Sequence, residues 1–216
     1  MQACELITLT RRSGNLRNPE RLAEALSAIA AFVKASPVMD GLGGDNLLGC
    51  WITEFGPQNR LLLLRAYPTA AAMQEERMRV LRCTDPFVPA AMLHTISLEG
   101  FMPFESLPPV IGGDFGPYYE FRTYRLRIGG LAPTIAAWGQ AMPARSRISP
   151  LVAAMHALDG EPRFIHIWAY RDLASREKLR AEAFATGVWP APGTPQLLTE
   201  DLRSDLYFPT AISKLR

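Results

Sequence analysis

Residues Tyr119-Glu120-Phe121-Arg122-Thr123-Tyr124 lie over Cys4-Glu5-Leu6-Ile7-Thr8-Leu9, with an acid at the second position and threonine at the fifth. The same spacing carries Gly14 onto Gly129 and Leu16 onto Leu131 without a gap. Downstream, Leu61-Leu62-Leu63-Leu64-Arg65-Ala66-Tyr67 lies over Phe164-Ile165-His166-Ile167-Trp168-Ala169-Tyr170 at a shorter spacing. The difference falls between Leu16 and Leu48, where the first half carries Asp40-Gly41-Leu42-Gly43-Gly44-Asp45, a loop by composition. Self-similarity at a near-fixed spacing marks a duplicated structural unit. The segment Met102–Pro117 holds Pro103, Pro108, Pro109, Gly112, Gly113, Gly116 and Pro117, which is linker composition. The chain therefore divides into a first repeat at 1–102, a linker at 103–116 and a second repeat at 117–216.

Each repeat reads strand, helix, strand, strand, helix, strand. In the second, Tyr119–Ile128 is a β-rich run ending at Gly129-Gly130, and Leu131–Arg145 is a helix with Pro133 in its first turn. Leu151–Ala157 and Arg163–Tyr170 flank the turn Asp159-Gly160-Glu161-Pro162 as a hairpin. Asp172 is an N-cap for a helix over Leu173–Ala185, and a last strand covers Leu198–Phe208. In the first, Leu22, Leu26, Ile29 and Val33 share one face of a helix over Pro19–Lys34. Leu47–Phe55 and Arg60–Tyr67 flank Gly56-Pro57-Gln58-Asn59, and Thr69 caps a helix running to Arg82. The order βαββαβ is the split-βαβ, ferredoxin-like unit, whose sheet carries helices on one face. The expected fold class is α+β, with two ferredoxin-like repeats packed sheet to sheet as an α+β barrel, because each bare sheet face must be buried.

Composition removes several function classes. Of 216 residues, 48% are hydrophobic and 20% charged, as in globular proteins. The 23 basic and 21 acidic side chains give +2, and no basic stripe occurs, so no nucleic-acid partner is expected. No apolar run is long enough for a membrane span, and the N-terminus lacks a signal pattern, so a cytoplasmic location is expected. Cys4, Cys50 and Cys83 are dispersed and read as small buried hydrophobes. His94, His156 and His166 lack ligand spacing, so neither a metal nor another cofactor is expected. Gly41-Leu42-Gly43-Gly44 completes no phosphate-binding fingerprint, and no nucleophile elbow occurs.

The strand Tyr119–Leu126 with Gly129-Gly130, the hairpin Glu54-Phe55-Gly56-Pro57-Gln58-Asn59, and His166-Ile167-Trp168-Ala169-Tyr170 together resemble the NIPSNAP family. The opening and His-Trp-Tyr strands match well in the second repeat, the hairpin in the first; the second has Ala157-Leu158-Asp159-Gly160-Glu161-Pro162 there. The resemblance implies the dimeric α+β barrel superfamily, most of whose NIPSNAP members have no assigned reaction. The wider superfamily includes cofactor-independent monooxygenases, small isomerases, dehydratases and some haem enzymes. Fold by itself does not settle function.

Strand alternation selects candidate site residues. Ile165, Ile167 and Ala169 form an aliphatic set expected to meet the helices. Phe164, His166, Trp168 and Tyr170, with Glu120, Arg122 and Tyr124, are then expected to face the space inside the barrel. Apolar walls with a few convergent polar groups suit a small-molecule ligand. His166, titrating near neutrality, is the candidate general base or acid. Tyr124 and Arg122 would stabilise an enolate-like oxygen, and Glu120 would orient Arg122 or His166. Trp168, Tyr170, Glu5 and Arg65 are candidate substrate-binding residues. The plainer alternative is a Glu120–Arg122 ion pair and a core histidine bonded to Tyr124. In the first repeat Ile7, Leu9 and Leu63 stand where Arg122, Tyr124 and His166 stand, so one site per chain is expected, in the second repeat. Arg176, Lys178 and Arg180 read as solvated helix surface, and Trp189-Pro190-Ala191-Pro192-Gly193 as a rigid exposed loop, ordinary in the plainer reading and a lid or partner contact in the alternative. The expected function is acid/base chemistry on a small carbonyl- or carboxylate-bearing metabolite. The alternative is a non-catalytic binding or interaction scaffold. Outer strand edges leave room for a homodimer contact.

Overall fold

The computed structural model describes residues 2–12, 16–36 and 46–216. The Asp40–Asp45 loop and the Gly14 pairing lie outside these residues. The elements run β1 (Ala3–Arg11), α1 (Pro19–Lys34), β2 (Leu47–Phe55), β3 (Arg60–Tyr67), α2 (Ala70–Arg82) and β4 (Leu93–Pro103). They continue with β5 (Tyr118–Leu126), α3 (Leu131–Ile148), β6 (Leu151–Ala157), β7 (Arg163–Tyr170), α4 (Leu173–Ala185) and β8 (Leu198–Pro209). The βαββαβ order is therefore present twice. The chain forms two compact units.

The first unit comprises Met1–Phe101, Ile111–Asp114 and Phe208–Arg216. Its antiparallel sheet has the order β4-β1-β3-β2. Ile7, Leu9, Leu61 and Leu63 pack against Leu26, Ile29 and Val33 of α1 and Val80 of α2. Each such fully buried side chain contributes about 1.5–3 kcal/mol. The start of α1 is set by Asn18, whose side chain accepts from the Glu20 and Arg21 amides, with Pro19 following. The Thr69 side chain likewise accepts from the Ala72 amide at the start of α2.

The second unit comprises Met102–Val110 and Phe115–Tyr207. Its antiparallel sheet has the order β8-β5-β7-β6. Phe104, within the Pro/Gly-rich segment, is fully buried against Trp138 and Phe164. The same segment runs so close to α3 that a Cβ at Gly139 would sit 2.8 Å from Ser106. Helix α3 runs three residues beyond the expected Arg145, with Pro143 inside it. Proline removes one backbone bond there, but Trp138, Ala141, Met142 and Arg145 are buried and hold the last turn in place. Asp172 caps α4 through a reciprocal capping box with Ser175. No described helix is long and apolar enough to cross a membrane.

Candidate functional site

Register brings the candidate residues of the second unit together. In the β5–β7 pair Glu120 stands opposite Trp168, Arg122 opposite His166 and Tyr124 opposite Phe164. Directly opposed residues share a face. Glu120, Arg122, Tyr124, Phe164, His166, Trp168 and Tyr170 therefore form one surface. That surface meets the helices, contrary to expectation. The His166 ring lies 4.9 Å from Trp138 of α3, centroid to centroid, and Trp138 also packs edge-on to Phe164. The aliphatic set Ile165, Ile167 and Ala169 occupies the opposite face. The expectation assumed helices that present only aliphatic side chains. Here α3 presents Trp138 and Arg145 and α4 presents Arg176 and Arg180, which suit a mixed polar and aromatic sheet face.

His166 is 1% exposed, within an aromatic cage of Tyr124, Trp138, Phe164 and Trp168. The Trp168 indole Nε1–H donates to its Nδ1 at 2.7 Å, so the expected bond to Tyr124 is replaced by one to Trp168. Burial, reinforced by the charges of Arg122, Arg180 and Arg145, holds the imidazole pKa well below its ordinary value. A neutral ring whose Nδ1 is an acceptor carries its proton on Nε2. That Nε2 is buried and has no partner. The group is thus a hydrogen-bond donor in waiting, and its other nitrogen is already occupied.

Glu120 is saturated. Its carboxylate accepts from Arg176 at 2.6 and 3.1 Å and from the Ser204 hydroxyl at 2.5 Å. Tyr170 and Arg180 reach it at 3.4 Å. The anticipated Arg122 contact is longer, at 3.9 Å. Burial pushes the Glu120 pKa up, but the bonds from Arg176 and Ser204 and the charges of Arg122 and Arg176 outweigh it and hold the group ionised. Burial, then the Glu120 charge, raises the Tyr170 phenol to about 12.

Sequence reasoning missed the helix-borne half of the site. Arg176 and Arg180 are half-buried and paired with Glu120, whereas Lys178 between them is exposed. Their i, i+4 spacing on one helix face was the available signal. Arg145 is 3% exposed, with its guanidinium 4.2 Å over the Trp168 ring and 5.8 Å from Trp189. Its Nη1 donates to the Ser149 carbonyl at 3.4 Å, and its Nε has no partner. Among the described residues, the guanidinium groups of Arg122, Arg176 and Arg180 gather around the single carboxylate of Glu120, while Arg145 lies outside that cluster.

This surface borders a cavity of about 140 Å³, walled by Tyr124, Trp138, Phe164, Phe184, Trp189 and Leu202 with Arg122 and Arg180 at its polar edge. Phe184 and Leu202 are half-exposed, so the cavity opens to solvent. The Trp189 loop, expected to be ordinary, supplies part of its wall. A space of this size holds about one aromatic ring.

Glu5 and Arg65 do not join this cavity. They belong to an ion network inside the first unit. Glu5 accepts from Arg77 at 2.7 Å and from the Tyr67 hydroxyl at 3.3 Å. Arg65 donates to Glu76 at 2.6 Å, to Asn46 at 3.0 Å and to Ser36 at 3.2 Å. His156 sits at the end of β6 with its Nδ1 3.4 Å from the Ala157 carbonyl oxygen, and His94 is exposed.

Residues 119–214 match the family model described as NIPSNAP. The chain is 26% identical to human NipSnap homolog 2 over 182 residues, which cover 79% of this chain and 62% of that protein. The mouse protein of the same name is 25% identical over the same length. The chain thus spans about three fifths of the length of these curated relatives. Among solved structures, an anthrone oxidase-like protein superposes over 97% of this chain and 91% of its own, with TM-score 0.61 and 12% identity. That likeness is one of fold.

Proposed function

We propose a function from the site itself, within the stretch 119–214 that matches the NIPSNAP family model. The second unit binds a small, partly apolar metabolite bearing a carbonyl or carboxylate, and it acts by stabilising negative charge on that oxygen. One observation carries the reading: Arg122 and Arg180 border an aromatic-walled cavity, and both share the one carboxylate of Glu120 with Arg176. Preorganised positive charge at the rim of an apolar space favours the anionic form of a bound molecule. Tyr124, which lines the cavity, adds a neutral hydroxyl donor. In an enolisation, the C–H bond next to the carbonyl breaks, its proton passes to a solvent base, and the electron pair moves onto the oxygen held at Arg122. His166 serves as a positioning residue in this reading, since it packs against Tyr124 and Trp138 of the cavity wall and its Nδ1 is engaged by Trp168.

A second, non-catalytic reading is favoured by one observation. Glu120 is saturated and His166 is neutral with Nδ1 engaged, so neither offers a ready proton acceptor. Solvent-deuterium exchange at the CH₂ of phenylpyruvate, a single-ring oxo acid, separates the two by proton NMR. The catalytic reading expects exchange at least tenfold faster than in buffer, lost in Arg122→Gln. Binding without faster exchange favours the non-catalytic reading. Neither binding nor exchange removes both.

A further inference from the structure

Arg145 is the least compensated buried charge of the second unit. Its closest counterpart in kind is Arg65 of the first unit, also buried, which has the Glu76 carboxylate at 2.6 Å and two neutral acceptors besides. Arg145 has one long bond to a carbonyl, at 3.4 Å, and two aromatic faces. A buried guanidinium without a counter-charge is unfavourable, since desolvation is offset only by a well-placed partner. Among the described residues no carboxylate lies within ion-pair distance of it. Arg145 also lines a narrow space of about 10 Å³, together with Arg122, Tyr170 and Arg180. That space has room for one oxygen atom of a group that continues into its neighbour. It borders the larger cavity, because Arg122, Arg180, Phe184 and Trp189 line both.

Resting on the reading above, we propose that this narrow arm is a carboxylate subsite, in which the carboxylate of a bound ligand supplies the ion-pair partner that Arg145 lacks. The ligand is then amphiphilic: a single ring or short branched acyl body in the wide chamber and a carboxylate in the arm. A planar guanidinium fork matches a carboxylate edge-on. Inorganic phosphate carries no apolar body for the wide chamber, so it gains only the contacts of the arm. The flat walls of Trp138, Phe164 and Trp189 suit a ring, and the half-exposed Phe184 and Leu202 mark the way in. Occupation also relieves the mutual repulsion of Arg122, Arg145 and Arg180.

The test is calorimetric titration of the full chain with benzoate, benzyl alcohol and inorganic phosphate, in the parent, Arg145→Gln and Arg122→Gln. The proposal expects benzoate to bind the parent at least tenfold more tightly than either other probe. Arg145→Gln should then weaken benzoate at least tenfold and leave benzyl alcohol unchanged. Phosphate binding as well as benzoate overturns the proposal, as does an Arg145→Gln affinity for benzoate within twofold of the parent. If Arg145→Gln does not fold, Arg145→Lys keeps the charge and loses the fork. It should weaken benzoate at least threefold, and an unchanged affinity overturns the proposal. Loss of benzoate binding in Arg122→Gln but not in Arg145→Gln defeats the carboxylate arm and leaves the broader reading standing. A parent that binds neither benzoate nor benzyl alcohol defeats both.

Discussion

Replacing Glu76 by glutamine should cost the first unit much of its stability, and the cost should depend on pH. The Glu76 carboxylate is 1% exposed and accepts from Arg65 at 2.6 Å, from Arg79 at 2.7 and 2.8 Å and from Ser36 at 2.7 Å. Burial alone would raise its pKa, but the bonds from Arg79, Arg65 and Ser36 outweigh it and lower the value from 4.5 to about 2. A depressed pKa contributes stability that is fully present above the unfolded value and lost as pH falls through the folded one. At about 1.4 kcal/mol per pH unit, the shift corresponds to roughly 3 kcal/mol at neutrality and about 1.5 kcal/mol near pH 3. The glutamine also strands Arg65, which is fully buried. Breaking a buried pair this way costs about 3–5 kcal/mol, in agreement with the titration figure. Urea denaturation of parent and Glu76→Gln at pH 7, 5, 4 and 3 reads both quantities. A difference below about 1 kcal/mol at pH 7, or one that does not shrink toward pH 3, refutes the reasoning.

The second unit and the cage around His166 should respond differently to substitution. Arg145→Met removes a charge with no carboxylate partner, so urea denaturation should place it within about 1 kcal/mol of the parent; a loss above about 3 kcal/mol means a counter-charge exists. Trp168→Phe leaves the His166 Nδ1 buried without its donor, and should cost about 1–3 kcal/mol and shift the His166 nitrogen resonances in ¹⁵N NMR. Burial raises the Cys4 and Cys50 thiols to about 12, so both should resist iodoacetamide at pH 8 in the native protein, while half-buried Cys83 takes up one label by mass spectrometry.

The repeat, the element order and most boundaries were legible because local signals agreed with the fold. Leu22, Leu26, Ile29 and Val33 mark α1 by spacing alone, and Asp172 marks the start of α4. The strand registers that join Glu120, Arg122, Tyr124 and His166 also follow from alternation once the sheet order is known. What alternation does not contain is which face meets the helices. Ile165, Ile167 and Ala169 looked suited to a helix, yet His166 and Trp168 are the residues beneath α3. That choice depends on what the helices present, and Trp138, Arg145, Arg176 and Arg180 are complementary to rings and a carboxylate. Arg145 was invisible for a related reason: its burial comes from Trp168 and Trp189, residues distant in sequence. The first unit shows the same helix-facing positions used differently, with Glu5 and Arg65 closed into ion pairs by Arg77 and Glu76.

The central claim is that the second unit stabilises negative charge on a small bound molecule. The most direct measurement is the pH titration of 4-nitrophenol bound to the full chain, followed by the visible absorbance of its phenolate. The account predicts a bound pKa about one pH unit or more below that of free 4-nitrophenol, equivalent to at least about 1.4 kcal/mol of preference for the anion. A bound pKa equal to or above the free value would mean that the cavity acts as an apolar pocket, and would contradict the account.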